Sequence, residues 1–187
     1  MDTENENMPG SYAKFPRNVT TPIVEPATGG KTMPVLTIWQ PWAVSIIHGP
    51  KRYENRGWTP PPSLVGRRLA IHASVRQPDL AEWDSWQAVA EQARRWGQDV
   101  PQFRQMPLDY GAIIGTVLVT GFIDVRRAMT MPDPWVVGPF AWVLADPRPC
   151  VPVRCKGAQK LWSFDEETVR QADRLWHANN PAAGRSA

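Results

Sequence analysis

Short apolar runs rich in β-branched residues recur along the chain, and they predict strands more often than helices. Strands are predicted over residues 35–38, 66–74, 112–125, 140–144, 150–154 and 161–164. Gly115 and Gly121 are predicted to bend the longest of them. Twenty prolines interrupt the runs and argue against an all-helical protein. Many short strands with two or three intervening helices predict an α+β fold.

Helical periodicity occurs in three places. The first helix begins at Pro41, because a first helical residue needs no N–H partner, and Gly49–Pro50 ends it. The second begins at Asp79, with Glu82 at capping-box spacing. Its apolar stripe contains several tryptophans, and this periodicity is typical of a core face rather than a base-stacking platform. A last helix is predicted over 166–176.

The two ends of the chain lack this periodicity. Residues 1–33 scatter Pro, Gly, Thr, Asn and Glu, which predicts a flexible N-terminal tail. One domain is expected over 34–178, followed by a disordered C-terminal end at 179–187. The tail has a second interpretation, as a segment that folds over the domain or meets a protein partner, with Phe15 and Ile23 as its anchors.

Composition changes this picture through charge placement. The formal net charge of the 187 residues is only +3, which permits a polyanionic partner without demonstrating one. Residues 48–76, however, hold six Lys or Arg and one acid, whereas 79–99 hold five acids and two bases. The positive charge is therefore concentrated in the segment that follows the first helix.

Neither a metal site nor a membrane segment is predicted. Cys150 and Cys155 form no disulfide framework and have no zinc-ligand spacing, so we expect two reduced thiols and no cofactor. No signal peptide is expected at the N-terminus, and no run approaches the roughly 18 apolar residues that cross a membrane. These features predict a cytoplasmic protein.

The segment Lys51-Arg52-Tyr53-Glu54-Asn55-Arg56-Gly57-Trp58 carries most of the candidate chemistry. In an extended conformation Glu54 and Arg56 would share one face, and Tyr53 and Asn55 the other. Glu54 would then either orient Arg56 or accept a hydrogen bond from a ligand, such as a base amine.

The spacing Gly-x-Lys-x-x-Glu-x-Arg that ends at Arg56, with Gln40-Pro41-Trp42 upstream, resembles the ASCH domain family. Segments at 66–74, 111–117, 139–144 and 156–162 resemble the later strands of that family in the same order. The resemblance implies a small PUA-like β-barrel with flanking helices over roughly 35–165. It also implies a cleft lined by Lys51, Glu54 and Arg56.

We predict that the chain binds nucleic acid (RNA or DNA) or a nucleoside through this basic, Trp-edged cleft. Cations would meet phosphates while aromatic side chains stack on bases. Phosphate contacts are predicted for Lys51, Arg56, Arg67 and Arg68, stacking for Trp42 or Trp58, and further contacts for Gln40, His72, Lys156 and Lys160. The alternative interpretations are an internal ion network, a core Trp42 and a solvated Lys156–Lys160 turn.

A hydrolase is the competing hypothesis, and the sequence leaves the question open. No Ser/His/Asp signature, phosphate loop or dinucleotide fingerprint is present. Small bacterial members of the family remove the acetyl group of acetylcytidine with a Lys, a Thr three residues later as nucleophile, and a distant Glu. Lys51 matches that pattern, but Glu54 stands at the Thr position, where it would form a high-energy mixed anhydride.

Glu54 as a general base would keep such an activity available. Ribonucleases in the family raise a second option, with Lys51, Glu54 and His72 as acid–base groups. Lys51 and Glu54 are thus the catalytic candidates if the chain is an enzyme. A third hypothesis is a protein-interaction module whose basic face docks an acidic partner.

Overall fold

The computed structural model describes residues 30–128 and 133–181 and contains six strands and three helices within them. In chain order these are β1 Thr32–Ile38, α1 Trp42–Ile47, β2 Tyr53–Arg56, β3 Arg68–Ala73, α2 Leu80–Arg95, β4 Ala112–Asp124, β5 Phe140–Arg154, β6 Leu161–Asp165 and α3 Glu166–Asn179. The predicted α+β class is confirmed.

All six strands belong to one mixed sheet in the order β2-β5-β4-β3-β1-β6. Strands β1 and β3 run parallel, and the other neighbours are antiparallel. The predicted barrel is not closed, because the edge strands β2 and β6 do not pair within the described part of the chain. A side chain bridges β2 to β1 instead, since Arg56 Nη2 donates to the Thr37 carbonyl at 3.3 Å.

Apolar side chains pack on both faces of the sheet, because successive side chains of a strand point to opposite faces. Leu36 and Ile38 of β1 pack with α1 in the largest apolar cluster. Met33 and Val35 point to the opposite face and pack with Val169 of α3. The sheet therefore lies between α1 on one side and α3 on the other.

Helix α2 begins as the sequence predicts. The Asp79 carboxylate accepts from Glu82 N at 2.9 Å, and Glu82 accepts from Asp79 N at 3.0 Å, which completes the capping box. Trp86 in the middle of the helix is buried, in agreement with a core stripe. The two ends of the stripe differ from the middle, because Leu80 and Trp96 are 71% and 55% exposed.

The observed strands differ from the sequence prediction in several places, including β2, which is not among the predicted strands. Strand β1 begins at Thr32, two residues before the predicted start of the domain. The segments 140–144 and 150–154 form one strand, β5, because β4 pairs with it along its whole length. The predicted bends in β4 are present, since its register with β5 shifts beside Gly115 and Gly121.

The chain end is ordered further than predicted. Helix α3 extends to Asn179, and Asn180 is buried and donates from Nδ2 to the Trp176 carbonyl at 2.9 Å. The rest of the two predicted tails, residues 1–29 with Phe15 and Ile23 and residues 182–187, lies outside the described residues. No helix in the described ranges has the length and apolarity to span a bilayer.

Candidate functional site

An open cleft of about 450 Å³ lies beside the C-terminal end of β1, between β2, α1 and α2. Its walls are formed by Thr37, Ile38, Trp39, Trp42, Lys51, Glu54, Asn55, Arg56, Val89, Trp135 and Val137. The cleft thus gathers four of the predicted site residues, namely Trp42, Lys51, Glu54 and Arg56.

The turn after α1 positions Lys51. Gly49 packs so closely that a Cβ would lie 2.9 Å from the Ser45 carbonyl, so glycine is needed here for close approach. The same carbonyl accepts from Lys51 N at 3.1 Å. Arg52 lies outside the cleft and donates from Nη1 to the carbonyls of Ile46 and Gly49, which satisfies the end of the helix.

An ion network forms the floor of the cleft. Lys51 Nζ donates to Glu54 Oε2 at 2.7 Å, and Arg56 Nη2 lies 3.0 Å from Glu54 Oε1. Lys51 also donates to the Tyr53 carbonyl. Lys51 and Glu54 are only 2% and 6% exposed, whereas the Arg56 side chain remains 24% exposed. The predicted sharing of one strand face by Glu54 and Arg56 is confirmed.

Electrostatics makes this network a tightly held unit. Burial lowers the pKa of Lys51, and the neighbouring Glu54 carboxylate opposes that shift. Each oxygen of Glu54 already has a cation within hydrogen-bonding distance. The internal ion network predicted as an alternative is therefore present, and it also forms a wall of the cleft.

The opposite face of β2 anchors the segment that follows residue 132. Asn55 Nδ2 donates to the Trp135 carbonyl at 2.9 Å, and its Oδ1 accepts from Val137 N at 2.9 Å. Trp135 is 1% exposed. Its indole N–H donates to Gln98 Oε1 at 2.7 Å, and its ring packs edge-on against Trp42 at 6.3 Å. These partners are distant in sequence, and no local pattern indicates them.

Aromatic side chains form the rim of the cleft. Trp42 is partly buried, and Trp39 is 51% exposed. The Arg76 guanidinium lies 4.4 Å from the centre of the Trp39 ring, a cation–π contact. Trp39 is absent from the predicted site residues. Its position immediately after an apolar strand, where the chain leaves the sheet, is the sequence signal that indicates it.

Two predicted contacts have structural roles instead. Gln40 is 2% exposed, donates from Nε2 to the Asp109 carbonyl and accepts from Val44 N at 3.0 Å, which fixes the start of α1. Trp58 packs edge-on against Trp142 with ring centres 4.7 Å apart. Neither residue lines the cleft.

Arg67 and Arg68 lie in a second groove of about 420 Å³ at the N-terminal end of β1. They precede and begin β3, which runs parallel to β1, so they are at the end of the sheet opposite to the cleft. Arg68 is paired with Asp146 and donates to Thr116 Oγ1 at 2.9 Å. The structure therefore separates these two arginines from Lys51 and Arg56.

His72 is buried and is not available to a ligand in the cleft. Its Nε2 is 3.1 Å from the Cys155 carbonyl and donates to it, because a carbonyl can only accept. Its ring packs edge-on against Trp162, with ring centres 5.6 Å apart. Burial lowers the pKa of His72, so the ring is neutral at pH 7.

The turn that carries Lys156 and Lys160 adjoins the cleft. A Cβ on Gly157 would lie 3.0 Å from Thr37 Oγ1 and 2.5 Å from His72 Cε1, so this turn packs directly on the Thr37 wall. Both lysines are exposed. The turn thus places two exposed cations close to one side of the cleft.

No group of three or more His, Cys, Asp or Glu side chains suited to a metal occurs within residues 30–128 and 133–181. Cys150 and Cys155 are buried free thiols. Burial raises the pKa of Cys155 to about 11, and it raises the pKa of Cys150 as well. Both thiols are consequently protonated and poor nucleophiles at neutral pH.

Comparison with known proteins places the chain in a family. The sequence model of the ASCH domain matches residues 36–154. Activating signal cointegrator 1 of Homo sapiens is 31% identical over 155 residues, which cover 79% of this chain and 25% of the human protein. The chain spans about a quarter of the length of that relative.

Among solved structures, ASCH from Zymomonas mobilis is 16% identical with a TM-score of 0.42, covering 79% of this chain and 94% of that one. A variant of the same protein is 18% identical with a TM-score of 0.43, at 76% and 95% coverage. The match of the domain model to more than half of the residues is decisive, and the chain belongs to the ASCH domain family.

Proposed function

We propose that this chain binds nucleic acid, RNA or DNA, through the cleft at the C-terminal end of β1. The observation that carries the proposal is the combination of two cations, Lys51 and Arg56, on the floor with the exposed Trp39 on the rim. Stacking on aromatic rings and attraction to cations are the two contributions that single-stranded nucleic acid sites combine.

Each side chain has a separate part in the proposal. Trp39 and Trp42 provide flat surfaces for a base, while Arg56 contacts the edge of the base or an adjoining phosphate. Lys156 and Lys160, on the turn beside Thr37, attract the phosphates of the strand as it leaves the cleft. Gln40, Trp58 and His72 have no contact with the ligand in this proposal, since their side chains are engaged within the fold.

Titration of short single-stranded and double-stranded RNA and DNA at two salt concentrations tests the proposal. Affinity should fall as salt rises, because phosphate binding releases counterions. Trp39→Ala should weaken binding about 5- to 150-fold, since a base–aromatic stack contributes about 1–3 kcal/mol.

Trp96→Ala is the matched control, because Trp96 is equally exposed (55%) but lies at the far end of α2, outside the cleft. It should leave affinity unchanged. Equal losses in the two variants would show that binding does not use the cleft.

A hydrolase acting on a modified nucleoside or on RNA is the second candidate. The buried Lys51 amine beside Glu54, at the base of a cleft of nucleoside size, favours it. Against it, both Glu54 oxygens are already engaged by cations, which disfavours a general base. The same titration samples should therefore show neither chain cleavage nor acetate release from acetylcytidine. Product that disappears in Lys51→Ala and Glu54→Ala would make the chain an enzyme.

A further inference from the structure

The hydrogen-bonding groups of the cleft are unequally used. Its side-chain acceptors already have protein partners: Glu54 Oε2 accepts from Lys51, Glu54 Oε1 is paired with Arg56, and Asn55 Oδ1 accepts from Val137 N. The Glu54 side chain is only 8% exposed, so its remaining lone pairs are shielded from a ligand. The Asn55 amide is held by the backbone on both of its atoms.

The backbone acceptors along the cleft are used in the same way. The Ile38 carbonyl accepts from Ser74 N at 2.9 Å, and the Trp39 carbonyl accepts from Ala43 N at 3.1 Å. Protein donors likewise reach the carbonyls of Thr37, Lys51 and Trp135.

A donor, in contrast, remains within reach of a ligand, because the Arg56 side chain is 24% exposed. Lys51 uses two of its three N–H groups, on Tyr53 and Glu54, and at 2% exposure it is shielded from a ligand as Glu54 is. Arg56 Nε is buried without a hydrogen-bond partner among the described residues. Trp39 and Trp42 add indole N–H groups, which donate and never accept. A buried donor without a partner is unfavourable, so the cleft is complementary to a ligand edge made of acceptors.

Building on the proposed function, we infer that the cleft selects bases with a ring carbonyl over bases with an exocyclic amine at the same position. Guanine, hypoxanthine, uracil and thymine present carbonyl oxygens to Arg56. Arg and Lys are the side chains that most often read the guanine O6/N7 edge. Adenine and cytosine would instead place an amine donor against donors, which leaves both unpaired. This inference replaces the expectation that Glu54 accepts from a base amine.

A direct test compares single strands of about eight nucleotides at neutral pH. Oligo-U and oligo-C have rings of the same size and differ at position 4, carbonyl against amine. Oligo-C strands with one central inosine or one central adenosine repeat the comparison for purines. Each carbonyl member should bind about tenfold more tightly than its amine partner, in line with the 1–3 kcal/mol of a good base contact.

Arg56→Ala should shrink that preference to less than about threefold, because it removes the principal donor. Arg174→Ala, which removes an exposed arginine paired with Glu167 on α3, is the matched control and should retain it. Thermal unfolding of both variants verifies that they are folded.

The outcomes separate the two proposals. The base selection is overturned if the carbonyl and amine members bind equally, or in reversed order, in both the U/C and the inosine/adenosine comparison. It is also overturned if folded Arg56→Ala keeps the full preference for the carbonyl member. Either result leaves nucleic-acid binding in place. Failure of every strand to bind overturns the proposed function and the base selection together.

Discussion

At the scale of single residues, Lys51 is the unusual member of the cleft, because its ammonium group is almost completely buried. A buried charge is stable only when partners compensate the lost hydration, and Glu54 and the Tyr53 carbonyl provide that compensation. The network consequently fixes where Lys51 and Arg56 stand before any ligand arrives. Such preorganisation lowers the entropy that a ligand must overcome on binding.

Replacement of Lys51 should therefore destabilise the protein. Lys51→Met leaves Glu54 buried with Arg56 alone, and we expect a loss of about 3 kcal/mol in the free energy of unfolding, as for other broken buried pairs. Urea denaturation measures it.

Arg170→Met is the control, because it removes an exposed partner of Glu166 on α3 and should change stability by less than about 1 kcal/mol. The double variant Lys51→Met/Glu54→Gln should lose less stability than the sum of the losses measured for the two single variants. Additive losses, or a Lys51→Met effect as small as that of the control, would contradict the compensation.

Several residue positions were predictable because their signals are local. The alternation that pairs Glu54 with Arg56 follows from the period of a strand, and the Asp79–Glu82 capping box from helix geometry. The burial of Trp135 was not predictable. Its partner Gln98 is 37 residues away, and only the packed fold brings the two together.

At the scale of elements, the same limit separates what the sequence predicts from what it does not. The sequence around Asp146, Pro147 and Pro149 predicts two separate strands, because prolines and turns normally end a strand. They form one strand because β4 shifts its register to follow β5, and Gly115 allows the approach: a Cβ there would lie 2.6 Å from the Arg148 carbonyl. Tertiary pairing overrides the local signal.

The residue that caps the C-terminal end of α1 contacts α3. His48, at the C-terminal cap of α1, packs its ring against Trp176 of α3 with ring centres 6.5 Å apart. Burial lowers the pKa of His48 from 6.5 to about 4. The histidine is thus neutral in the folded protein at any pH above about 4.

Stability should consequently fall in acid. Between pH 6.5 and about 4 the unfolded chain binds a proton at His48 that the folded protein does not, so unfolding is favoured as the pH drops. The loss is at most about 3 kcal/mol, and less because the ring is partly exposed.

Denaturation at several pH values, with His48→Gln for comparison, measures this contribution. The variant should lose less stability than the wild type between neutral pH and pH 4.5. His72, whose pKa burial also lowers, is present in both proteins and cancels. Parallel pH profiles of the wild type and His48→Gln would mean that His48 is as easy to protonate in the folded protein as in the unfolded chain.

At the scale of the whole molecule, one open sheet separates two basic grooves. The cleft adjoins the C-terminal end of β1, and the groove of Arg67 and Arg68 adjoins its N-terminal end, which at strand geometry is about 20 Å away. From the sequence alone, one basic patch is predicted, because Lys51, Arg56, Arg67 and Arg68 lie within 18 positions of one another. The parallel pairing of β1 and β3 sends them to opposite ends of the sheet.

The family resemblance correctly indicates which segment lines the cleft, and it does not indicate the ligand. The bias of the cleft toward hydrogen-bond donors arises from contacts between β2, β1 and the segment after residue 132. The spacing in the sequence contains only part of that information: it indicates the Glu54–Arg56 pair, whereas the partners of Asn55 and of the Thr37 carbonyl come from other elements.

The most direct test of the central claim uses the tryptophan indole N–H signals in two-dimensional NMR of the protein, whose chain has ten tryptophans. Signals are assigned with single Trp→Phe variants, and a short single strand is then added. Binding in the cleft predicts that the Trp39 and Trp42 signals move while those of the distant Trp96 and the core Trp142 stay. Movement of Trp96 with Trp39 and Trp42 unchanged would contradict the account and place the nucleic acid elsewhere on the molecule.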